Sequence, residues 1–222
     1  MFFIPDLITP VECQQLQALL AQTEFSDGRS TAAGAAYQKH NLQAVGPLEH
    51  VQQGQKLVQA ALDRHPKFRV LAMPRRVRPV TFNRYDEGMY YRDHTDHALL
   101  PATPVVRGDL SMTLFLSDPE SYEGGELVMN SDGDDQLKVK LPAGHAVVYS
   151  AATMHRVNTV TRGSRLGAVT VIESLINNAA ERELLGEVAQ LVRWVQDKAP
   201  QSVEERRASK IYANLMRMWC RP

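Results

Sequence analysis

Apolar residues near the amino terminus recur at helical spacing. Thr9 and Glu12 form a capping box around Pro10, the first position of a predicted helix whose apolar side chains are Val11, Leu16, Leu19 and Leu20. A second helix is predicted over residues 47–65, because apolar side chains again recur at intervals of three and four residues. Residues 1–77 are therefore predicted to form an N-terminal helical layer.

The pattern changes at residue 78 to short runs rich in β-branched and aromatic residues. Seven strands are predicted, over residues 80–85, 110–116, 126–129, 136–141, 146–149, 156–160 and 165–172. The segments between them carry Gly, Pro and Asp, which favour hairpin turns over helical crossovers. Residues 78–176 are therefore predicted to form an antiparallel core, a jelly roll or double-stranded β-helix, in a chain of the α+β class.

Helical spacing returns after residue 176. Apolar positions predict a helix over residues 178–198, and Ser202 with Glu205 caps a final helix whose apolar stripe ends at Trp219. Residues 177–222 are predicted to form a helical hairpin. Its apolar stripe must pack on the β core or on a second copy of the chain, so a homodimer through these helices is one expectation.

The charge and composition of the chain indicate which kinds of molecule it can bind. Lys and Arg number 25 and Asp and Glu number 25, so the chain has no global field that favours nucleic acid, and residues 75–78 are interpreted as an exposed basic loop. Cys13 and Cys220 lack the spacing of a disulfide framework or a zinc site. Neither a signal peptide nor a membrane span is indicated. We expect a cytoplasmic protein that acts on a small molecule.

One histidine stands two residues before a carboxylate, directly after a β-rich run. Residues i and i+2 of an extended segment point to the same side, so His94 and Asp96 can occupy adjacent positions on one metal. His155 lies 59 residues beyond Asp96 at the start of a late strand, where a closed barrel could return it to the first pair. These three residues form the predicted ligand set, with catalytic and metal-binding roles.

Two imidazoles and one carboxylate on one face of an octahedral metal leave the other face open, an arrangement that suits iron(II). Arg165 lies ten residues beyond His155 in the next predicted strand and offers a planar fork that matches a carboxylate. Arg162 is the rival cation, but Thr161-Arg162-Gly163 predicts a turn, where an arginine is usually solvated. The sequence thus indicates an anionic cosubstrate held beside an open metal site.

These motifs resemble the prolyl-4-hydroxylase-like iron(II)/2-oxoglutarate oxygenases, and among them the bacterial PKHD-type hydroxylases. The resemblance covers most of the chain, and its motifs are the HxD pair, His155, Arg165, Phe82-Asn83-Arg84-Tyr85, Glu123-Gly124-Gly125-Glu126-Leu127 and Leu141-Pro142-Ala143-Gly144. It implies that His94, Asp96 and His155 bind iron. It also implies that Arg165 holds the distal carboxylate of 2-oxoglutarate and that Tyr85 contributes a hydroxyl to that pocket.

The resemblance implies a dioxygenase that uses iron(II), 2-oxoglutarate and O2, with ascorbate as a reductant. Oxidative decarboxylation of 2-oxoglutarate would accompany hydroxylation of a substrate C–H bond, and related proteins suggest a link to iron uptake. Some relatives have a cosubstrate-binding tyrosine where this chain has Phe115, which would place more of the anchoring on Arg165.

Two other functions are compatible with parts of the sequence. A metal-dependent hydrolase is suggested by His94-Thr95-Asp96-His97, although Arg92 stands where the first histidine of an HxHxDH cluster is required. A non-catalytic cupin-like sensor could use the same barrel. The substrate is open between small molecules, such as free amino acids or siderophore-type compounds, and peptidyl prolines.

Overall fold

The computed structural model describes residues 1–31 and 38–221. Its helices are α1 (Pro10–Ala21), α2 (Leu48–Arg64), α3 (Pro66–Ala72), α4 (Ala179–Lys198) and α5 (Val203–Trp219). Its strands are β1 (Phe2–Ile4), β2 (Glu24–Asp27), β3 (Lys39–His40), β4 (Leu42–Gly46), β5 (Pro74–Val77), β6 (Thr81–Tyr85), β7 (Tyr90–His94), β8 (Leu99–Leu100), β9 (Val106–Arg107), β10 (Leu110–Phe115), β11 (Glu123–Gly124), β12 (Leu127–Met129), β13 (Leu137–Val139), β14 (Ala146–Ser150), β15 (His155–Val157), β16 (Val160–Arg162) and β17 (Arg165–Ser174).

The predicted helix starts are confirmed by their caps. The Thr9 hydroxyl accepts a hydrogen bond from the Glu12 amide, and the Glu12 carboxylate accepts one from the Thr9 amide. The Ser202 hydroxyl accepts one from the Glu205 amide at the start of α5. Each bond satisfies an amide that the helix itself leaves free, so these local sequences define their own starts.

Two antiparallel sheets face each other and form the jelly-roll core, which confirms the predicted fold class. The major sheet has the order β1-β14-β10-β17-β6-β4-β2, with β5 also paired to β17. The minor sheet has the order β13-β12-β15-β7-β3. Two short pairs, β11 with β16 and β8 with β9, complete the described strands. The space between the two large sheets is where the inward side chains meet.

Alternation along the central strands separates two environments. On β10, Leu110, Met112 and Leu114 belong to the apolar core that the major sheet forms with α1 and α2. The intervening Ser111 and Thr113 line the cavity between the sheets instead. Since successive strand residues point to opposite faces, one strand stabilises the outer core and places polar groups inside the barrel.

The N-terminal segment contributes more than helices, because it also supplies β1 to β5 to the two sheets. Residues 75–78, interpreted as an exposed loop, lie largely within β5, so that interpretation was wrong. The Arg75 guanidinium lies 3.1 Å from the carboxylate of Glu173, which is 3% exposed on β17. A buried carboxylate needs compensation, and this is why the basic run joins the sheet.

The tail helices α4 and α5 form the predicted hairpin, which packs against α3 and the segment after β17 through a small apolar core. Tyr212, Leu215 and Trp219 contact that core, which contains Met73 and Ile176. Several large apolar side chains of the hairpin remain exposed, namely Leu184, Leu191, Trp194, Val203, Ile211 and Met218. The homodimer through these helices stays a prediction. Among the described residues, no helix combines the length and apolarity needed to cross a bilayer.

A glycine pair fixes the turn that leads into β12. Gly124 and Gly125 have φ values of +69° and +64°, a region that residues with a Cβ rarely adopt. A Cβ on Gly124 would lie 2.1 Å from the Thr159 carbonyl oxygen, so backbone would have to move. The turn therefore depends on glycine for both conformation and space.

We expect Gly124→Ala to lower the free energy of unfolding by about 2 kcal/mol or more, since backbone strain adds to the clash with Thr159. Urea denaturation of the purified protein measures this change. Gly133→Ala is the matched control, because a Cβ there would meet its nearest atom at 3.7 Å. Equal stabilities of the two variants would contradict the explanation.

Candidate metal centre

Pairing between two short strands brings the predicted ligand set together. β7 and β15 are antiparallel, and His94 on β7 lies opposite His155 on β15. The Asp96 amide donates to the Ala151 carbonyl at 3.0 Å, which ties the segment after β7 to the residue that follows β14 of the major sheet. One ligand atom each from His94, Asp96 and His155 lie within 4.8 Å of one another. The three side chains are thus close enough to share one ion.

Backbone carbonyls select the tautomer of both imidazoles. Nδ1 of His94 lies 2.7 Å from the Arg92 carbonyl oxygen, and Nδ1 of His155 lies 2.9 Å from the Thr153 carbonyl oxygen. A carbonyl only accepts, so each Nδ1 carries the proton and donates it. Each Nε2 is then unprotonated and carries a lone pair, the form in which imidazole binds a metal.

The environment of His94 also keeps it neutral. The Tyr91 ring stacks on the His94 ring with centroids 3.6 Å apart, and the His155 ring lies 4.2 Å away. Burial, with a contribution from His155, lowers the pKa of His94 to about 4. An imidazole with this pKa is uncharged at neutral pH and available as a ligand.

Two residues from the major sheet hold the ligands from the other side. The Ser111 hydroxyl donates to Oδ2 of Asp96 at 2.5 Å, so it restricts the rotation of that carboxylate. The Tyr149 hydroxyl lies 3.4 Å from Nε2 of His155. Burial raises the pKa of Tyr149 well above its usual range, so this phenol stays protonated beside the ligand set.

Arg165 is a buried cation in the same cavity. It is 2% exposed, and its register partner across the sheet is Tyr85 on β6. Its guanidinium carbon lies 5.2 Å from the centroid of the Tyr85 ring and 5.3 Å from that of Phe115. Its Nε has no hydrogen-bond partner within the described part of the chain. A guanidinium in this state has donors available for an anion.

The glycine turn provides the space that Arg165 occupies. A Cβ on Gly125 would lie 3.2 Å from Cδ of Arg165, closer than most such contacts. The rival arginine lies elsewhere, because Arg162 is exposed and its Nε donates to the Glu123 carboxylate at 2.9 Å. The structure therefore brings the predicted Arg165 and Tyr85 into the cavity and leaves Arg162 on the surface.

The ligand set and Arg165 line one cavity of about 920 Å³ between the sheets. Lys39 of β3 lines it too and is 6% exposed, with Nζ donating to the Thr31 hydroxyl at 2.7 Å. Burial lowers the pKa of Lys39 to about 8, although Asp96 and Asp27 oppose this shift. The cavity thus holds a second desolvated cation besides Arg165.

Sequence reasoning missed Lys39, Ser111 and Tyr149. A signal was present for Ser111, because a hydroxyl at alternate positions of the apolar run 110–116 predicts an inward polar face. Tyr149 follows the same alternation on β14. Lys39 lies on a two-residue strand next to His40, and its sequence carries no such pattern.

The chain is similar to known oxygenases over nearly its whole length. A family model described as the 2OG-Fe(II) oxygenase superfamily matches residues 80–172. A PKHD-type hydroxylase of Methylobacterium nodulans is 41% identical over 97% of both chains. Another from Gluconacetobacter diazotrophicus is 39% identical over 98% of this chain and 97% of its own. These identities establish the family and leave no support for the hydrolase or sensor alternatives.

Solved structures agree in fold. An oxidoreductase of the 2OG-Fe(II) oxygenase family from Burkholderia pseudomallei has a TM-score of 0.59 at 19% identity, covering 77% of this chain and 84% of its own. A Pseudomonas putida prolyl-4-hydroxylase has a TM-score of 0.51 at 20% identity, covering 78% and 91%. These structures agree with the fold, and the family model and the relatives establish the identity: this chain belongs to the PKHD-type hydroxylases of the 2OG-Fe(II) oxygenase superfamily, and it is a dioxygenase that depends on iron(II) and 2-oxoglutarate.

Proposed function

We propose that His94, Asp96 and His155 bind the iron(II), and that Arg165 and Tyr85 bind the distal carboxylate of 2-oxoglutarate. The observation that carries this proposal is the presence, in one cavity, of a metal-binding set and a buried guanidinium with a free donor. The donor atoms fit the ion, because both imidazoles present Nε2 and the carboxylate is held by Ser111. Two neutral nitrogens and one anionic oxygen suit iron(II).

The roles of the residues follow from their chemistry. Bound iron(II) and 2-oxoglutarate supply the oxidation, in which O2 and 2-oxoglutarate yield succinate, CO2 and a hydroxylated substrate. Ser111 orients the Asp96 carboxylate, and the carbonyls of Arg92 and Thr153 orient the two imidazoles. Arg165 receives a carboxylate bidentately, since Tyr85 and Phe115 flank its guanidinium and leave its edge for an anion.

The remaining cavity suits a small molecule or one residue of a peptide as the prime substrate. The whole cavity, of about 920 Å³ before iron and 2-oxoglutarate are bound, lies in the range of small-molecule sites, and Leu127, Val157 and Val169 provide an apolar part of the lining that limits water. We also propose ascorbate as the reductant that keeps the iron in its ferrous state. A link to iron uptake stays a prediction that rests on the resemblance alone.

We expect the wild-type protein, loaded with iron(II) and 2-oxoglutarate without oxygen, to show a weak visible charge-transfer band. Asp96→Ala should lose the band and the succinate formed on admission of air, because one metal contact is removed. Absorbance and succinate are the measurements. Asp93→Ala, at an exposed position of β7, is the control and should keep both. A band of wild-type strength in Asp96→Ala would place the metal elsewhere.

Arg165→Met should raise the dissociation constant of 2-oxoglutarate roughly a hundredfold, because a buried charge-assisted pair is lost. Anaerobic titration of the charge-transfer band measures it. Arg165→Lys keeps the positive charge but loses the planar guanidinium. Its dissociation constant for 2-oxoglutarate should lie between those of the wild type and Arg165→Met. Arg162→Met is the surface control, and a weakening there equal to that of Arg165→Met would exclude the assignment.

Ser111→Ala should weaken iron(II) binding roughly tenfold, because the Asp96 carboxylate loses the hydroxyl that orients it. Competition with a colorimetric iron(II) chelator measures the affinity, and circular dichroism checks the fold. Ser111→Thr keeps a hydroxyl at this position and should recover part of the affinity. An alanine variant with wild-type affinity would show that the hydrogen bond has no positioning role.

A further inference from the structure

The charge of the cavity differs from that of the whole chain. Its lining carries three cationic side chains, Lys39, Arg78 and Arg165, against a single carboxylate, Asp96, among the described residues. The chain as a whole is neutral, so the surplus is local. Iron(II) and 2-oxoglutarate carry equal and opposite formal charges, so the surplus persists when both are bound. An anionic group bound beside these cations would offset part of the surplus.

Lys39 is a buried cation that lacks a carboxylate partner among the described residues. Its ammonium has three donors, and among the described residues Thr31 provides its one side-chain acceptor, at 2.7 Å. No carboxylate in residues 1–31 or 38–221 pairs with it at ion-pair distance, and residues 32–37 contain neither Asp nor Glu. Arg78 differs, because it donates to the Pro101 carbonyl at 3.1 Å and is partly exposed.

The position of Lys39 relates it to the metal ligands. Nζ lies 5.2 Å from the centroid of the Tyr91 ring, and that ring stacks on His94 at 3.6 Å. β3 is also the strand paired with β7, with Lys39 opposite Tyr91. The ammonium is therefore within one small-molecule length of the ligand set, on the side of Tyr91. Arg165, the proposed anchor of 2-oxoglutarate, lies on a different strand of the opposite sheet.

We propose that Lys39 binds a carboxylate of the prime substrate, so that the enzyme hydroxylates a carboxylic acid whose reacting carbon lies a few bonds from that group. This proposal rests on the proposed function, because the substrate site is defined relative to iron and 2-oxoglutarate. A charge-assisted hydrogen bond from a desolvated ammonium gives both affinity and orientation. Thr31, Gln43 and Asn83 also line the cavity, and the hydrogen bonds that join Lys39 to Thr31, Thr31 to Gln43 and Gln43 to Asn83 hold the ammonium in position.

The test uses small probes on the protein loaded with iron(II) and saturating 2-oxoglutarate without oxygen, so that Arg165 and the metal are occupied. N-acetylglycine carries a carboxylate, and N-acetylglycinamide is its neutral isostere. Binding is followed by the change in the charge-transfer band and by calorimetry. We expect the acid to bind the wild type roughly tenfold or more tightly than the amide, the effect of one charge-assisted contact.

Lys39→Met removes the charge at similar volume and should abolish the preference for the acid. Lys138→Met makes the same change at an exposed position of β13 and should retain it. N-acetylaspartate α-methylamide carries its carboxylate on a side chain, as an acidic residue of a peptide does. Tighter binding of this probe than of N-acetylglycine would indicate a peptidyl acid as substrate, and weaker binding a small free acid. Circular dichroism reports whether each variant folds. If Lys39→Met does not fold, the comparison of N-acetylglycine with N-acetylglycinamide on the wild type still tests the proposal.

The outcomes separate the two proposals. A missing charge-transfer band in the wild type counts against the proposed function. A normal band with no preference for the acid overturns the Lys39 site alone. A preference that survives in Lys39→Met also overturns it, and a preference lost only in Arg78→Gln assigns the anion to Arg78 instead.

Discussion

The antiparallel pairing of β7 with β15 is the constraint on which the site depends. It sets His94 opposite His155 and, with Asp96 from the segment after β7, brings two imidazoles and a carboxylate within 4.8 Å of one another. The surrounding structure compensates for this arrangement. Backbone carbonyls accept hydrogen bonds from the Nδ1 atoms of both imidazoles, and the Ser111 hydroxyl donates to Asp96. Burial keeps His94 neutral. The apolar core beneath the major sheet provides the stability that maintains a polar interior.

The long strand β17 connects the chemistry with the scaffold. Its first residue, Arg165, faces the cavity, whereas Ala168 and Ile172 belong to the core shared with the helices. Near its end, Glu173 is buried and paired with arginines of β5 and β9. One ten-residue strand thus serves both proposed cosubstrate binding and packing, because its two faces point to different environments.

Much of the architecture follows from local sequence. Capping residues mark the starts of α1 and α5, and the alternation of apolar and hydroxyl residues in β10 predicts an outward and an inward face. The clustering of His94, Asp96 and His155 in one cavity with Arg165 could also be predicted, because their residue types and spacing have few other uses, and their roles stay a proposal. Lys39 and the strand pair β3–β7 could not, because their pairing is non-local and their sequences, rich in charged and aromatic residues, lack a periodic pattern. The ammonium of Lys39 is desolvated because the side chain is buried, and that burial arises only when the barrel closes.

In the proposed complex, the separation between Lys39 and the cluster of His94, Asp96 and His155 has a consequence for regiochemistry and for product release. Hydroxylation adds an uncharged group and leaves a carboxylate unchanged, so an acid held by this ammonium is held about equally before and after the reaction. Such a tether fixes which carbon faces the oxidant without itself lowering the barrier. Release of the hydroxylated acid must then depend on what changes elsewhere in the cavity, foremost the conversion of 2-oxoglutarate to the shorter succinate beside Arg165.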